Sequence, residues 1–395
     1  MAYDFTTVYN RHGMDSISQD VMDEEFSAAS QEKRIPLWVA DMGFATAPAV
    51  TEHIEKRMKH PVYGYFIPSD QYFDSISRWH EQSFGWNGPT RETTGYENGV
   101  LGGVASALRL LAAPGSPILL HSPTYNGFIH VLESMGYHMV LSPLRPDSHG
   151  TPRMDLRDME QKIRDENISV VLFCSPHNPC GRVWTRDELC DAMKLFEKYD
   201  LTVISDEIWS DLTLYGNSHI PTASVSKDAS QRTIAFYAPT KTFNLAGMIG
   251  SYSVVLNPRL RKALTELEEK CHYNNMNVLS MHALIGAYSA EGRAWTEELK
   301  KVLEYNIDSM CSFFSSIDGV RVFKPEGTYI LSPDFGNWCA SKRISLSDLA
   351  KKGIETGVMW RDGKYYNMPD GIRLCLSQPS SLILQAIERL RPLFA

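Results

Sequence analysis

The chain contains no run of about 18 consecutive apolar residues, so a membrane-crossing helix is not expected. It also lacks a cluster of Lys and Arg, and its formal charge is -8, the wrong sign for a surface that holds nucleic-acid phosphates. The basic residues of P-R-L-R-K-A-L-T-E-L-E-E-K-C (258–271) are followed by acids, as on a solvated helix face. Cysteine is sparse and odd in number, seven in 395 residues, with no paired spacing that would make a disulfide framework. A reducing, cytoplasmic setting is expected. Cys174 and Cys180 bracket C-S-P-H-N-P-C, but that gap exceeds a zinc knuckle and no second Cys/His pair follows, so no metal is expected. The opening residues M-A-Y-D-F-T-T-V-Y-N-R-H carry charge early and hold no apolar stretch of a secretory signal. Repeats, low-complexity tracts and Gly/Ser linkers are missing too.

The length exceeds what one small core needs and predicts two packed lobes. In the middle, short apolar or β-branched runs alternate with helical patterns. Ser116–His121, Ser169–Cys174, Thr202–Ser205, Thr233–Tyr237 and Ser251–Leu256 read as strands. Thr185–Tyr199 reads as a helix with Thr185 as its N-cap. Continuous apolar strands separated by helices predict an α/β fold, a mostly parallel sheet covered on both faces. This large domain is set at residues 49–288. After it come a long helix (Ala294–Phe314), short strands near Val320–Phe323 and Tyr329–Leu331, and a final helix at Ser380–Leu390. These predict a smaller α+β domain, residues 289–395, against which residues 1–48 pack.

Three segments of the large domain each place a polar group just past a predicted strand. V-V-L-F-C-S-P-H-N-P-C-G-R presents Asn178, L-T-V-I-S-D-E-I-W presents Asp206, and T-I-A-F-Y-A-P-T-K-T-F-N-L-A-G presents Lys241. Ligands of such sheets collect beyond the carboxyl ends of the strands. An amine there can form a Schiff base with an aldehyde, a carboxylate can keep a pyridine nitrogen protonated, and an amide can bond a phenolate oxygen. Together these are the requirements of pyridoxal phosphate (PLP). Singly each is weak: a loop lysine is usually a solvated charge, Asp206 could be a helix cap, and Asn178 could be a turn residue before Pro179.

Along nearly its whole length the chain resembles the aspartate-aminotransferase-like, fold-type I PLP enzymes. Within them it is similar to the cystathionine β-lyase and cysteine C–S lyase branch. The stretches that carry the resemblance are Y-D-F-T-T, P-L-W-V-A-D-M-G-F, V-Y-G-Y, S-P-T-Y-N-G-F, F-C-S-P-H-N-P-C-G-R-V-W, S-D-E-I-W-S-D-L, A-P-T-K-T-F-N-L-A-G-M, G-T-Y and G-I-R-L. The resemblance implies a large PLP-binding domain with a smaller α+β domain. It implies Lys241 as the Schiff-base lysine, Asp206 at the pyridine nitrogen and Asn178 at the phenolate oxygen. Tyr125 would stack on the cofactor, and Thr240 and Trp209 would also border it. Gly99, Val100 and Leu101 would open a helix, Gly99–Ala112, whose free N–H groups suit a phosphate. Arg373 would grip the substrate α-carboxylate with a planar bidentate donor. Tyr65 would reach the phosphate of a neighbouring subunit, making a homodimer with shared active sites.

Several positions depart from the branch. Trp209 stands where a His is usual and can donate but not relay a proton. Gly43 replaces an acidic residue, Asn126 a tyrosine found in some relatives, and the stretch after Tyr329 reads I-L-S-P-D. All are expected near the substrate side chain. The expected reaction is β-elimination from a cysteine-type amino acid, giving a thiol, pyruvate and ammonia, with Lys241, Asp206 and Tyr125 as the catalytic groups. A PLP-dependent aminotransferase of class I/II is the alternative, since it would use the same lysine, aspartate and arginine.

Overall fold

The computed structural model describes residues 3–22, 26 and 34–395, so part of the N-terminal stretch to residue 48 lies outside the described residues. A seven-stranded sheet dominates it. Its strands, in chain order, are β1 (Thr94–Glu97), β2 (Pro117–Ser122), β3 (His138–Pro143), β4 (Val170–Cys174), β5 (Thr202–Asp206), β6 (Thr233–Tyr237) and β7 (Ser251–Val254), arranged β1-β7-β6-β5-β4-β2-β3. Pairing is parallel from β3 through β6, and β7 alone runs antiparallel to its neighbours. The expected sheet is therefore present, with two strands that the apolar pattern did not disclose. T-G-Y-E of β1 has no apolar run, and β3 is an edge strand with exposed ends.

Successive side chains of a strand point to opposite faces, and here both faces are covered. Ile118, Leu120, Val170, Leu172, Ile204 and Phe236 pack on one side with Val104, Leu108, Phe128 and Leu132 from helices. Leu119, Val171, Phe173 and Val203 pack on the other with Met159, Ile163, Leu189 and Phe196. Each such fully buried side chain contributes roughly 1.5–3 kcal/mol relative to exposure. The helix read from Thr185 spans Arg186–Lys198, and its start is a reciprocal capping box between Thr185 and Glu188.

Beyond the sheet, the long helix spans Ala290–Ser315 and the last spans Ser380–Leu390, with Ile383, Ile387 and Leu390 buried as their spacing required. Ile330–Leu331, Ile372–Cys375 and Arg361–Asp362 form a three-stranded sheet with Ile372–Cys375 in the middle. Residues 320–323 form no strand; only Arg321 makes an isolated bridge, to Asp334, because the chain turns away after one pairing. Ile35–Pro36 pairs in parallel with Val358–Met359, tying the N-terminal part to the C-terminal part.

The helices Pro48–Met58 and Val278–Ala287 cross at close range because Gly286 has no side chain. A Cβ there would lie 2.4 Å from the Ala49 carbonyl oxygen and 2.9 Å from Val50 Cα. Both are backbone-linked atoms that cannot rotate aside. Gly286→Ala is expected to destabilise the protein by roughly 1–3 kcal/mol despite its better helix propensity. Thermal or urea unfolding checks this, and an unchanged or raised midpoint would show that the two helices can separate without cost.

Candidate active site

The carboxyl ends of β4, β5 and β6 and the start of the Val100–Leu111 helix surround a cavity of about 270 Å³. It is lined by Gly99, Val100, Leu101, Tyr125, Asn178, Asp206, Trp209, Thr240 and Lys241 among others. A second cavity of about 540 Å³ holds Arg373, Tyr366, Asn126, Arg11 and Asp41, and both cavities share Ala40, Tyr125, Lys241 and Ala246. Lys241 thus stands at the junction. Of the residues assigned from the sequence to the cofactor and to the substrate carboxylate, all but Tyr65 border one of these two spaces. Tyr65 is fully exposed, in an extended segment with Val62, Tyr63 and Ile67 also exposed.

Local structure explains each position. Asp206 is the last residue of β5 rather than a residue past it, and its Oδ1 accepts from the Ile208 backbone N–H at 3.0 Å. Lys241 follows β6 by four residues, and its Nζ donates to the Ala40 carbonyl at 2.9 Å. That carbonyl also accepts from Tyr329 Oη at 3.0 Å. Ala40 is held there by Asn244, whose amide donates to the Met42 and Phe44 carbonyls and accepts from the Met42 N–H. The two stretches A-P-T-K-T-F-N and W-V-A-D-M-G-F are therefore one piece of structure. Tyr125 caps the Asn126–Ser134 helix, and its turn is fastened by Thr124 N–H to the Tyr366 carbonyl at 2.9 Å. Gly99 has φ 82°, a conformation open to glycine, and starts the Val100–Leu111 helix.

Burial dominates the electrostatics. It pushes the Asp206 carboxyl up to about 7, against the smaller lowering by Ile208 N–H and Lys241. The Lys241 amine is lowered, first by burial and then by the Arg373 charge. Burial likewise raises the Tyr125 phenol. Arg373 is buried in the middle strand of the small sheet; its Nη1 donates to Tyr366 Oη at 3.0 Å and to the Trp38 carbonyl at 3.4 Å. Its Nε and Nη2 have no partner, and neither does Asn178 Oδ1. Unsatisfied buried polar atoms around a cavity are costly, and a ligand that meets them removes the cost.

Sequence reasoning did not find Ala40, Tyr366, Tyr329, Asp41 or Arg11. Ala40 acts through its backbone, which leaves no side-chain signal. The Arg11–Asp41 pair, 2.7 Å apart, is assembled from residues thirty positions apart in the N-terminal part. Departures from the branch fall in different places. Trp209 and Asn126 line the cavities, and the Trp209 ring lies 5.9 Å from Lys241 Nζ. Gly43 lines an adjoining recess, where a Cβ would come within 2.1 Å of Gln378 Oε1. The S-P-D stretch is engaged elsewhere: Ser332 donates to the Pro179 carbonyl, and Asp334 pairs with Arg321.

An α/β sheet whose carboxyl edge carries a half-buried lysine with a buried aspartate and asparagine defines an enzyme class, and comparison with known proteins gives the family. The chain belongs to the aminotransferase class I and II family, whose profile matches residues 62–390. Among curated proteins it is similar to the cystathionine beta-lyase PatB of Bacillus subtilis, 32% identical over 89% of this chain and 91% of that protein. It is also similar to the protein MalY of Escherichia coli, 29% identical over 88% and 86%. Among solved structures it resembles cystalysin from Treponema denticola, which contains pyridoxal 5'-phosphate, with TM-score 0.93 and 28% identity over 99% of this chain and 98% of that one. The PLP-bound C–S lyase from Staphylococcus hominis gives TM-score 0.90 and 25% identity over 100% and 98%. These likenesses establish the fold-type I architecture.

The raised Asp206 carboxyl has a consequence for stability. The folded chain holds a proton that the unfolded chain has already lost above about pH 4, so Asp206 costs stability increasingly as pH rises from there toward 7. Asp206→Asn is therefore expected to raise the unfolding midpoint of the cofactor-free protein at alkaline pH. The gain should be on the order of a few kcal/mol and should disappear near pH 4. Paired melts at the two pH values check this; a variant less stable than the parent at alkaline pH would show that the carboxylate is well solvated.

Proposed function

We propose that this chain is a PLP-dependent carbon–sulfur β-lyase that cleaves cystathionine, cysteine or a cysteine S-conjugate to thiol, pyruvate and ammonia. The observation that carries the reading is the junction of the two cavities at Lys241, with Asp206 and Asn178 on one side and the unpaired edge of Arg373 on the other. The residues present fit the cofactor. Asp206 is a buried carboxylate with no ion pair among the described residues, a match for a protonated ring nitrogen. Asn178 lines the same space with its Oδ1 unpaired, and the Gly99–Leu101 helix start suits a phosphate. The relatives' names support the same chemistry.

Pyridoxal phosphate, when bound, supplies an aldehyde that joins an amine and a ring that draws electrons from an amino acid's α-carbon. Lys241, its amine lowered by burial and by Arg373, would hold that aldehyde and, once a substrate amine displaces it, would be free to take the Cα proton. Asp206 would pair with the ring nitrogen and keep it protonated. Tyr125, Trp209 and Thr240 would border the ring, and Asn178 would offer its amide to the phenolate oxygen. Arg373 Nε and Nη2 grip the substrate carboxylate, which fixes the Cα–H bond toward Lys241. As Lys241 takes the proton, the Cα–H electron pair becomes the Cα–Cβ π bond and the C–S pair leaves with sulfur. Tyr125, protonated through the neutral range because burial raises its pKa, or the newly protonated Lys241 returns a proton to the thiolate. Lys241 would then reclaim the aldehyde and release the unsaturated amine, which water hydrolyses to pyruvate and ammonia.

The test is parallel measurement of thiol and pyruvate from cystathionine, cysteine and S-conjugates with no keto acid added. Release is expected from at least one of them, and Lys241→Ala should abolish it together with the borohydride label that peptide mapping assigns to Lys241. Robust amino transfer to 2-oxoglutarate without thiol from any sulfur substrate would make the chain an aminotransferase of class I/II, the reading its family profile also admits.

The same reading extends to assembly and setting. The exposed apolar segment Val62–Ile67 supports a homodimer in which Tyr65 reaches the partner's phosphate site. The seven free thiols support a cytoplasmic location, and among the described residues no helix is long and apolar enough to cross a membrane. Residues 49–288 are taken as the cofactor-holding domain, with 1–48 and 289–395 as the smaller one. Tyr65→Phe is expected to speed PLP loss from a dimeric protein, read as the rate at which the cofactor's absorbance leaves the protein on gel filtration. A fully active monomer by light scattering at assay concentration would remove Tyr65 from the site.

A further inference from the structure

Two buried carboxyls take no part in the chemistry above, yet they lie directly behind the turn assigned to the phosphate. Glu97 ends β1, two residues before Gly99, and has no solvent exposure; Glu268, in the last turn of the Pro258–Lys270 helix, is 8% exposed. The two carboxyls are in hydrogen-bonding contact with one another. Glu97 Oε2 accepts from Asn274 Nδ2 at 3.1 Å, while Oε1 of Glu97 and Oε1 of Glu268 are both buried without a donor. The groups that bear on Glu97 are Glu268, Tyr72, Tyr96 and Tyr273, with the neutral Ser253 and Asn274; none of these is a cation. Two ionised carboxylates in such surroundings would repel strongly, whereas a single proton between them supplies the missing donor.

The pair is wired to the turn. Asn274 accepts from the Asn98 N–H at 3.3 Å through the same amide whose Nδ2 donates to Glu97. Tyr273 Oη donates to the Asn98 carbonyl at 2.9 Å, and Asn98 Nδ2 donates to the Tyr273 carbonyl. Gly102 admits this tyrosine, since a Cβ there would lie 1.4 Å from its hydroxyl. Asn98 is thus gripped at its N–H, its carbonyl and its side chain by residues 273 and 274, and Asn274 keeps its orientation while Glu97 accepts from it.

We propose that Glu97 and Glu268 share one proton and act as positioning residues, holding the Asn98–Leu101 turn through Asn274 and Tyr273 in the shape that receives the cofactor phosphate. This rests on the PLP reading. Burial first, and then the charge of the neighbouring carboxyl, raises the Glu97 carboxyl well above the ordinary carboxylate range. The folded pair therefore keeps a proton that the unfolded chain gives up. Stability falls as pH rises from the ordinary carboxylate range toward the pair's upper pKa, whereas the phosphate grip, which depends on the folded pair's own proton, weakens as pH rises through that upper pKa.

The experiment titrates cofactor-free protein with PLP, and with pyridoxal, which has no phosphate, across the neutral to alkaline range, following intrinsic fluorescence. In the parent, the dissociation constant for PLP is expected to rise with pH more steeply than in Glu97→Gln. The excess slope should approach about tenfold per pH unit, the limit for one linked proton. Glu268→Gln removes the second ionisation from the other side and should flatten the profile equally, so the test survives if one variant folds poorly. Pyridoxal should show no difference between parent and variants. Equal PLP slopes in the parent and in either folded variant, or the same excess slope with pyridoxal, would overturn the shared-proton clamp while leaving the cofactor reading intact. A folded parent that binds no PLP at any pH would sink both.

Discussion

Desolvation at the carboxyl edge of the sheet is the constraint on which the site depends. Asp206 and Arg373 are buried and Lys241 half-buried around two joined cavities, and none of the three is neutralised by another at contact distance. A buried carboxyl without a cation drifts toward its neutral form, and a buried amine near a guanidinium does the same. The chain thereby holds an amine whose pKa is lowered, a carboxyl awaiting a cation and a guanidinium with two unpaired donors. Each is unfavourable for the empty protein. On the proposed reading, each is relieved by one part of a PLP–amino acid pair, so that energy withheld from folding becomes available for binding.

The frame that tolerates this is rigid where it needs to be. Six strands running the same way, covered on both faces by interlocking apolar side chains, deliver the ends of β4, β5 and β6 to one edge. The N-terminal part closes the site through a backbone carbonyl, that of Ala40, clamped by Asn244 and shared between Lys241 and Tyr329. Behind the helix start, the Glu97–Glu268 pair and the residues after it hold the turn from the side away from the cavity. Contacts to the amine thus come from the N-terminal part of the chain, and contacts to the turn before the Val100–Leu111 helix from residues 273 and 274. Neither would be visible from the strands alone.

What the amino-acid sequence by itself determined is the part governed by local periodicity and by residue type. Continuous apolar runs of β-branched residues could be nothing but strands buried on both faces, so β2, β4, β5, β6 and β7 were legible, as was the helix capped by Thr185 and the final helix with its Ile383–Ile387–Leu390 face. Lys241, Asp206 and Asn178 stood out because a polar residue after such a run has to sit at the sheet edge. Tertiary structure alone decided the rest. β1 and β3 are strands because a neighbouring strand accepts their hydrogen bonds, not because their side chains repeat, and 320–323 is no strand because only Arg321 finds a partner, in an isolated bridge. Gly43 was expected near the substrate side chain, but it lines an adjoining recess, where Gln378, 335 positions away in the chain, lies against it. The roles of Ala40, Tyr366 and the Glu97–Glu268 pair depend on groups hundreds of residues apart or on backbone atoms that every residue carries. Packing brings them together, and no local pattern encodes the result.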